Sequence, residues 1–385
     1  MMEYQRLGDY IRPVDVRNRD LKVNLSQGIC NAKYFQNPKQ VADNPETHKV
    51  VRTGQFAYNR ATTRNGDKIS IALREGPDCT VSSAYQVFEI VDENQLEPKY
   101  LMMWFKRPEF DRLAIFYSHG SAHEFFEWDE LCDVQLPVPS IERQREIVSE
   151  YETLTRRIRL NNQMIEKLEE TAQVLYRKMF VEGIDKENLP EGWRRGMIGE
   201  YCKEMKSGGT PSRSHNEFWD DKDFPWLKSG EVHNNIIISV EEYISQAGLE
   251  NSSAKIIPRG AVVMAMYGAT AAQVAYLDCD TTTNQACCNM LCYSKEDAAY
   301  LFFHLLANQE EIKKLANGGA QENLSQELIA QQPMFIFDDK EKKAMFVPIL
   351  DNLIVLYKEN EKLTELQSLL LARMGNTENY NEDEK

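Results

Sequence analysis

No Gly-Lys pair occurs anywhere in the 385 residues, so a phosphate loop of the Gly-x-x-x-x-Gly-Lys-Ser/Thr type cannot form. No Gly-x-Ser-x-Gly elbow is present to carry acyl transfer. The Asn/Asp-Pro-Pro-aromatic tetrapeptide with which amino-methyltransferases hold an extrahelical base is missing too, so methyl transfer would need a partner. Cys-x-x-Cys is absent, and the eight cysteines lack disulfide-like spacing, so they read as free thiols. Adjacent Cys287 and Cys288 on a strand would point to opposite faces. Neither a signal peptide nor an apolar run of membrane length is seen, and the expected compartment is a reduced cytoplasm. Pro77-Asp78 followed by Glu97-Pro98-Lys99 matches a loose acidic signature of metal-dependent nucleases. However, Pro98 spoils the strand that such a site uses and suits a helix start instead. No catalytic or metal-binding residue is therefore assigned.

What the chain does contain is a repeat. Leu7-Gly8-Asp9-Tyr10-Ile11-Arg12 returns as Ile198-Gly199-Glu200-Tyr201-Cys202-Lys203, Gly120-Ser121-Ala122-His123-Glu124 as Gly318-Gly319-Ala320-Gln321-Glu322, and Glu166-Lys167-Leu168 as Glu361-Lys362-Leu363. The offset drifts only from 191 to 198, so the copies share an order of elements. Such a molecule has pseudo-two-fold internal symmetry and suits a target with two ends.

Two stretches carry heptad seams. Ile147, Tyr151, Leu154, Ile158, Asn161, Ile165, Leu168, Ala172, Leu175 and Met179 alternate at three and four residues, after Leu136-Pro137-Val138-Pro139 and a capping Ser140. Phe346, Ile349, Leu353, Leu356, Asn360, Leu363, Gln367, Leu370 and Met374 repeat the pattern, with Asp338 or Asp339 as cap and Pro348 marking the start or a kink. Because the second globule connects the end of one helix to the start of the other, an antiparallel pair is expected. Pairing Asn161 with Asn360 fixes its register. The alternative is that each helix packs on its own globule.

The expected fold class is α/β mixed (α+β), with two globular domains joined by two long antiparallel coiled-coil helices. The division reads 1–138 first globule, 139–180 spacer helix, 181–193 linker, 194–332 second globule, 333–374 second spacer helix and 375–385 an acidic disordered tail. In the first globule Val50–Asn59, Ile69–Leu73 and Val81–Ile90 read as strands, followed by one helix near Pro98–Arg112. In the second, Ile236–Val240, Ala261–Met266 and Gln273–Leu277 read as strands, followed by a helix from Lys295 to Ala316.

The net charge of −15 is adverse for binding a polyanion, but it is unevenly spread. Residues 1–138 hold 17 basic and 20 acidic side chains against 13 and 22 in 181–332. Between residues 48 and 74, Lys49, Arg52, Arg60, Arg64, Lys68 and Arg74 face only Asp67, which fits either a basic patch or a solvated loop. The most pointed stretch is Lys206-Ser207-Gly208-Gly209-Thr210-Pro211-Ser212-Arg213, with Trp219 and Pro225-Trp226 after it. Gly-Gly permits close approach of the backbone to a ligand, while Ser, Thr and Arg supply donors for phosphates and base edges. A tight turn with a structural aromatic pair is the competing reading.

At these residues the chain resembles the DNA-sequence specificity subunit of type I restriction-modification systems. Leu189-Pro190-x-Gly192-Trp193, Gly208-Gly209-Thr210-Pro211 with Trp219 and Pro225-Trp226, Val81-Ser82-Ser83-Ala84-Tyr85 and Thr283-Asn284-Gln285 are similar to stretches of its target-recognition domains. Leu136-Pro137-x-Pro139 leading to Glu142-x-Gln144-x-x-Ile147 resembles the start of its spacer helix. The first globule lacks the Gly-Gly-Thr-Pro opening, and the second spacer has Asp338-Asp339-Lys340-Glu341 where Glu-x-Gln is usual.

The resemblance implies a non-catalytic subunit in which each globule reads one half of a bipartite double-stranded DNA target. The helices would set the spacing and dock two methyltransferase subunits. S-adenosylmethionine would be bound by those partners, and ATP and Mg by restriction motor-nuclease subunits where present. A methylation-only complex is the near alternative, and a coiled-coil scaffold that binds no DNA is the distant one. Carried over residue by residue, the DNA-contacting set is Arg60, Arg64, Asn65, Lys68, Ser82, Ser83 and Tyr85 in the first globule. In the second it is Lys206, Ser207, Thr210, Ser212, Arg213, Lys228, Tyr267, Thr270 and Gln285.

Overall fold

A computed structural model describes residues 4–38, 44–61, 68–118, 125–182, 184–185, 187–316 and 323–375. The expected acidic tail and the Gly120–Glu124 and Gly318–Glu322 anchors of the repeat fall wholly or mostly outside these residues. The chain forms two compact units. One is built from residues up to Arg157 together with those from Leu363 on, the other from Ile158–Lys362.

In the first unit Tyr4–Arg6 pairs antiparallel with Gln135–Pro137, clamping the start of the globule to the segment that precedes the long helix. A four-stranded antiparallel sheet runs in the order Ile11–Val14, Tyr85–Ile90, Phe56–Asn59, Ile71–Leu73. Helices Pro98–Lys106 and Pro108–Ser118 contribute Phe105 and Phe110 to its core, where Phe56 stacks on Phe88 at 4.9 Å between ring centroids. The sequence pattern suggests one helix here. Pro108 divides it, because its ring excludes helical geometry from the preceding residue, and Arg107 is accordingly extended at φ −68°, ψ 136°.

The second unit repeats this plan. Trp193–Met197 pairs antiparallel with Pro333–Phe337. Glu204–Ser207, Cys287–Leu291, Val262–Ala265 and Val274–Leu277 follow the strand order of the first sheet, and Asn235–Ile237 is added in parallel at the far edge. A smaller sheet places Phe224–Leu227 between Glu242–Ile244 and Thr282–Thr283. The helix expected over Lys295–Ala316 is two, Lys295–Ala307 and Gln309–Ala316. The break falls at Asn308, whose backbone amide donates to the His304 carbonyl at 3.1 Å and whose side-chain amide donates to the same oxygen at 2.8 Å.

The first long helix is continuous over Ile141–Phe180, and Ser140 Oγ accepts from the Arg143 amide at 3.4 Å at its start. Every seam position is buried or half-buried. Val148, Tyr176 and Phe180, off the seam, are buried as well and enter the globule cores, so this helix both pairs and docks. Asp339 caps a separate short helix, Lys340–Ala344, and the second long helix runs Val347–Arg373 with Pro348 in its first turn, where no amide is missed. In the second unit Asn161 Nδ2 donates to Asn360 Oδ1 at 3.0 Å and Asn360 Nδ2 to Asn162 Oδ1 at 2.8 Å. In the first unit Gln367 Nε2 donates to Thr155 Oγ1 at 2.7 Å. As one helix number rises the other falls, so the pairing is antiparallel.

Asn161 is fully buried, and its carbonyl oxygen has no protein partner. Replacing Asn360 by Leu would orphan the amide as well and is expected to cost ~1–3 kcal/mol in chemical denaturation, with Asn161→Leu added recovering most of it. A second buried polar group, His304, meets Tyr176 Oη at 2.7 Å, and burial pushes its pKa down to about 4. The unfolded chain therefore takes up this proton first, so stability is full above about pH 6.5 and is lost as the pH falls toward 4. The free energy of unfolding from chemical denaturation should fall by ~2 kcal/mol more between pH 7 and pH 5 in the natural chain than in His304→Gln.

Candidate nucleic-acid interface

The shared strand order puts two connections of each sheet in corresponding places. The strand Phe56–Asn59 leads to Ile71–Leu73 as Val262–Ala265 leads to Val274–Leu277. The first connection carries Arg60, Arg64, Asn65 and Lys68, and the second carries Tyr267 and Thr270. Likewise the turn entering Tyr85–Ile90 carries Ser82 and Ser83, and the turn entering Cys287–Leu291 carries Gln285.

In the second unit most of the expected residues meet on one face. Thr210 Oγ1 donates to Gln285 Oε1. Asn284 Nδ2 donates to Ser229 Oγ at 3.4 Å, and Thr270 Oγ1 to the Ser229 carbonyl at 3.0 Å. The Arg213 guanidinium lies 3.5 Å from the Trp219 ring centroid and donates to Glu242 Oε2 at 2.5 Å. Trp219 stands edge-on to Trp226 and donates to the Ser212 carbonyl at 3.2 Å, while Ser212 Oγ meets Ser214 Oγ at 2.8 Å. Lys228 Nζ reaches Glu241 at 2.7 Å and Glu242 at 3.1 Å. Hydrogen bonds to Glu241 and then Glu242 hold the Lys228 ammonium above its ordinary pKa. Burial alone would raise the Glu242 carboxyl, but the hydrogen bonds from Arg213 and Lys228 outweigh it and hold it below the ordinary range. Tyr267 is 40 % exposed beside Gly268, whose left-handed φ of +70° turns the loop there.

Other expected contacts are spent inside the protein. Ser207 Oγ donates to Gln326 Oε1 at 2.8 Å, and Lys206 pairs with Glu204 at 2.9 Å, so neither joins the Thr210–Gln285 cluster. The Thr270 hydroxyl is likewise engaged, tying its loop to the Ser229 turn. In the first unit Tyr85 Oη accepts from the Ile29 amide at 3.3 Å and its half-buried ring packs against a small core. Arg60 pairs with Glu127 at 3.1 Å and lies over Phe125. Ser82 closes its turn by accepting from Tyr85 N through its carbonyl at 3.1 Å, and Ser83 and Lys68 are exposed. Arg64 and Asn65 lie outside the described residues. The base of their loop is anchored where the Ile69 amide donates to Asp111 at 3.1 Å, itself in a buried ion pair with Lys33 at 2.7 Å.

Gly208 and Gly209 also correct the sequence reading. A Cβ on Gly208 would stand 2.2 Å from the carbonyl oxygens of Thr283 and Asn284, and one on Gly209 would stand 2.4 Å from the Ala254 amide. The close approach is therefore to the protein's own backbone. It locks the Thr210 loop onto the Gln285 turn, and Trp226 Nε1 fastens it further by donating to the Gly209 carbonyl at 3.0 Å. Glu241 and Glu242 were not singled out in the sequence. Nothing local marks them, since their cationic partners are 13 and 29 residues away.

The family model for the type I restriction modification DNA specificity domain matches residues 31–170 and 190–369. The chain belongs to this family, with two copies of the domain. It is 23% identical over 433 aligned positions to the type I restriction enzyme HindI specificity subunit of Haemophilus influenzae, spanning 91% of this chain and 92% of that one. Over 79 positions, 20% of this chain and 19% of the relative, it is 32% identical to the EcoR124I/EcoR124II specificity subunit of Escherichia coli. Its fold is similar to that of the crystallised type I restriction-modification S subunit from M. genitalium, at a TM-score of 0.58 and 13% identity over 97% of this chain and 96% of the other. The protein is thus a specificity subunit of a type I restriction-modification system, a component that carries recognition and not the catalytic chemistry.

Gly209→Ala is expected to cost about 1–3 kcal/mol of stability, because the neighbour it meets is backbone that cannot rotate away. Gly268→Ala meets nothing within 4 Å but must hold a left-handed φ, so its cost should be smaller. Chemical denaturation of the two variants checks the order.

Proposed function

We propose that each unit reads one half of a bipartite double-stranded DNA target through its paired connections, residues 60–70 with 82–85 in the first and 266–273 with 283–286 in the second. The observation that carries this reading is their equivalence. Two sheets of the same strand order present loops in the same two places, and in the second unit these loops converge with Thr210 and Arg213. Thr210, Gln285 and the exposed Tyr267 ring are suited to base edges and stacking, whereas Arg213 and Lys228 are suited to phosphates.

The long helices then fix the separation of the half-sites and dock two methyltransferase subunits. A single uninterrupted helix that contributes to both cores supports the first role, and exposed apolar side chains along the helices, including Met164, Val355 and Leu369, support the second. S-adenosylmethionine belongs to those partners, and ATP and Mg to a restriction subunit where one joins. A cytoplasmic location follows from such a role. Among the described residues no helix is long and apolar enough to cross a membrane.

Binding of the chain with its methyltransferase partners to a randomised duplex library, followed by sequencing, tests this. Gln285→Ala should lose ~1–3 kcal/mol of discrimination at one position of one half-site and leave the other half unchanged. Arg213→Ala should weaken binding to all sequences and lower the slope of log affinity against log salt by ~1.

A further inference from the structure

We propose that Glu242 is an internal competitor of DNA phosphate that sets how tightly this face holds DNA of any sequence. The inference rests on the reading of the Thr210–Arg213 face as a DNA contact surface. Glu242 bridges the two cations of that face, Arg213 at 2.5 Å and Lys228 at 3.1 Å. It is held there, being 31 % exposed and placed on the strand Glu242–Ile244 opposite Trp226. Its neighbour Glu241 is different. It is 72 % exposed and, among the described residues, forms an ion pair with Lys228 alone, so it can swing into solvent.

Stacking on Trp219 fixes the plane of Arg213, so the edge that meets Glu242 is among the donors that a phosphate would need. A duplex of any sequence must therefore exchange a protein carboxylate for its own phosphate at two cations. The counterion release that drives non-specific binding is correspondingly reduced there, because the cations are already neutralised from within. Base contacts from Thr210 and Gln285 remain to tip the balance. Glu242 thus lowers affinity for all sequences by a common amount, so non-cognate DNA is released more readily while the ratio between sequences, set by Thr210 and Gln285, stays the same.

The test is equilibrium binding of the full chain with its methyltransferase partners to a random-sequence duplex across a salt series. Glu242→Gln keeps the size of the side chain and one acceptor oxygen but removes the charge, an NH2 donor replacing the other carboxylate oxygen. It should bind the random duplex about ten-fold tighter at low salt, with a slope of log affinity against log salt steeper by ~1–2, and should leave the ranking of sequences in library selection unchanged. Glu242→Asp, which keeps the charge on a shorter arm, should lie between the two, and Glu241→Gln should change little. A purely structural role would alter the thermal midpoint and leave the salt slope of the folded fraction unmoved, which would overturn the proposal. Unchanged random-duplex affinity in Glu242→Gln while Arg213→Ala weakens binding would also overturn it and leave the DNA face standing. If Arg213→Ala combined with Lys228→Ala were equally without effect, the DNA face and the competitor role would fall together.

Discussion

In each unit the chain enters and leaves along one antiparallel ladder, Tyr4–Arg6 with Gln135–Pro137 and Trp193–Met197 with Pro333–Phe337. Much else follows from that closure. It delivers the backbone to the start of a long helix, so the helix leaves from the core. In the second unit the ladder carries Trp193 and Phe337, stacked at 4.5 Å, and Phe337 meets Phe180 at 5.5 Å, while Phe180 meets Phe346 at 6.1 Å. One aromatic cluster thereby joins the end of the first long helix, the ladder and the residue just before the second. Aromatic pairs of this kind add ~0.5–1.5 kcal/mol each beyond their buried area, so the helices are held as part of the globule.

With the helices fixed, the sheet places its connections. The Gly208-Gly209 segment can lie against Thr283, Asn284 and Ala254 only because it has no side chains, and this contact brings Thr210 to Gln285 across 75 residues of sequence. Charge is handled differently from a simple basic groove. The cations of the second unit's face are matched by carboxylates, consistent with the strongly acidic composition of residues 181–332. On the proposed reading, DNA bound there exchanges partners with these carboxylates as much as it is drawn by net attraction.

The seams were legible because a heptad pattern is local and repeats, and the asparagines that interrupt the two seams are the ones that hydrogen bond. The internal repeat was legible for the same reason, and the shared strand order of the two sheets is its three-dimensional counterpart. Helix breaks were less so. Pro108 offered a signal that the amphipathic pattern outweighed, and the helix end at Asn308 has no neighbouring proline or glycine to mark it. Least legible was the use of polar side chains. Ser207, Thr270 and Tyr85 have the chemistry of DNA contacts, but their hydroxyls are engaged by Gln326, Ser229 and Ile29, partners brought near only by folding. The role proposed for Glu242 escaped for the converse reason, since an acidic residue reads as adverse to DNA until its two cations are seen.

The central claim is that DNA meets the second unit at the end of the sheet where the strand Cys287–Leu291 begins, and not where it ends. A photo-crosslinking side chain placed at Gln285 and, separately, at Tyr293 tests it most directly, since Tyr293 lies just beyond the other end of that strand and is 72 % exposed. In the complex with methyltransferase partners and a target duplex, position 285 should crosslink to DNA and position 293 should not. Crosslinks at 293 with none at 285 would contradict the placement of the interface.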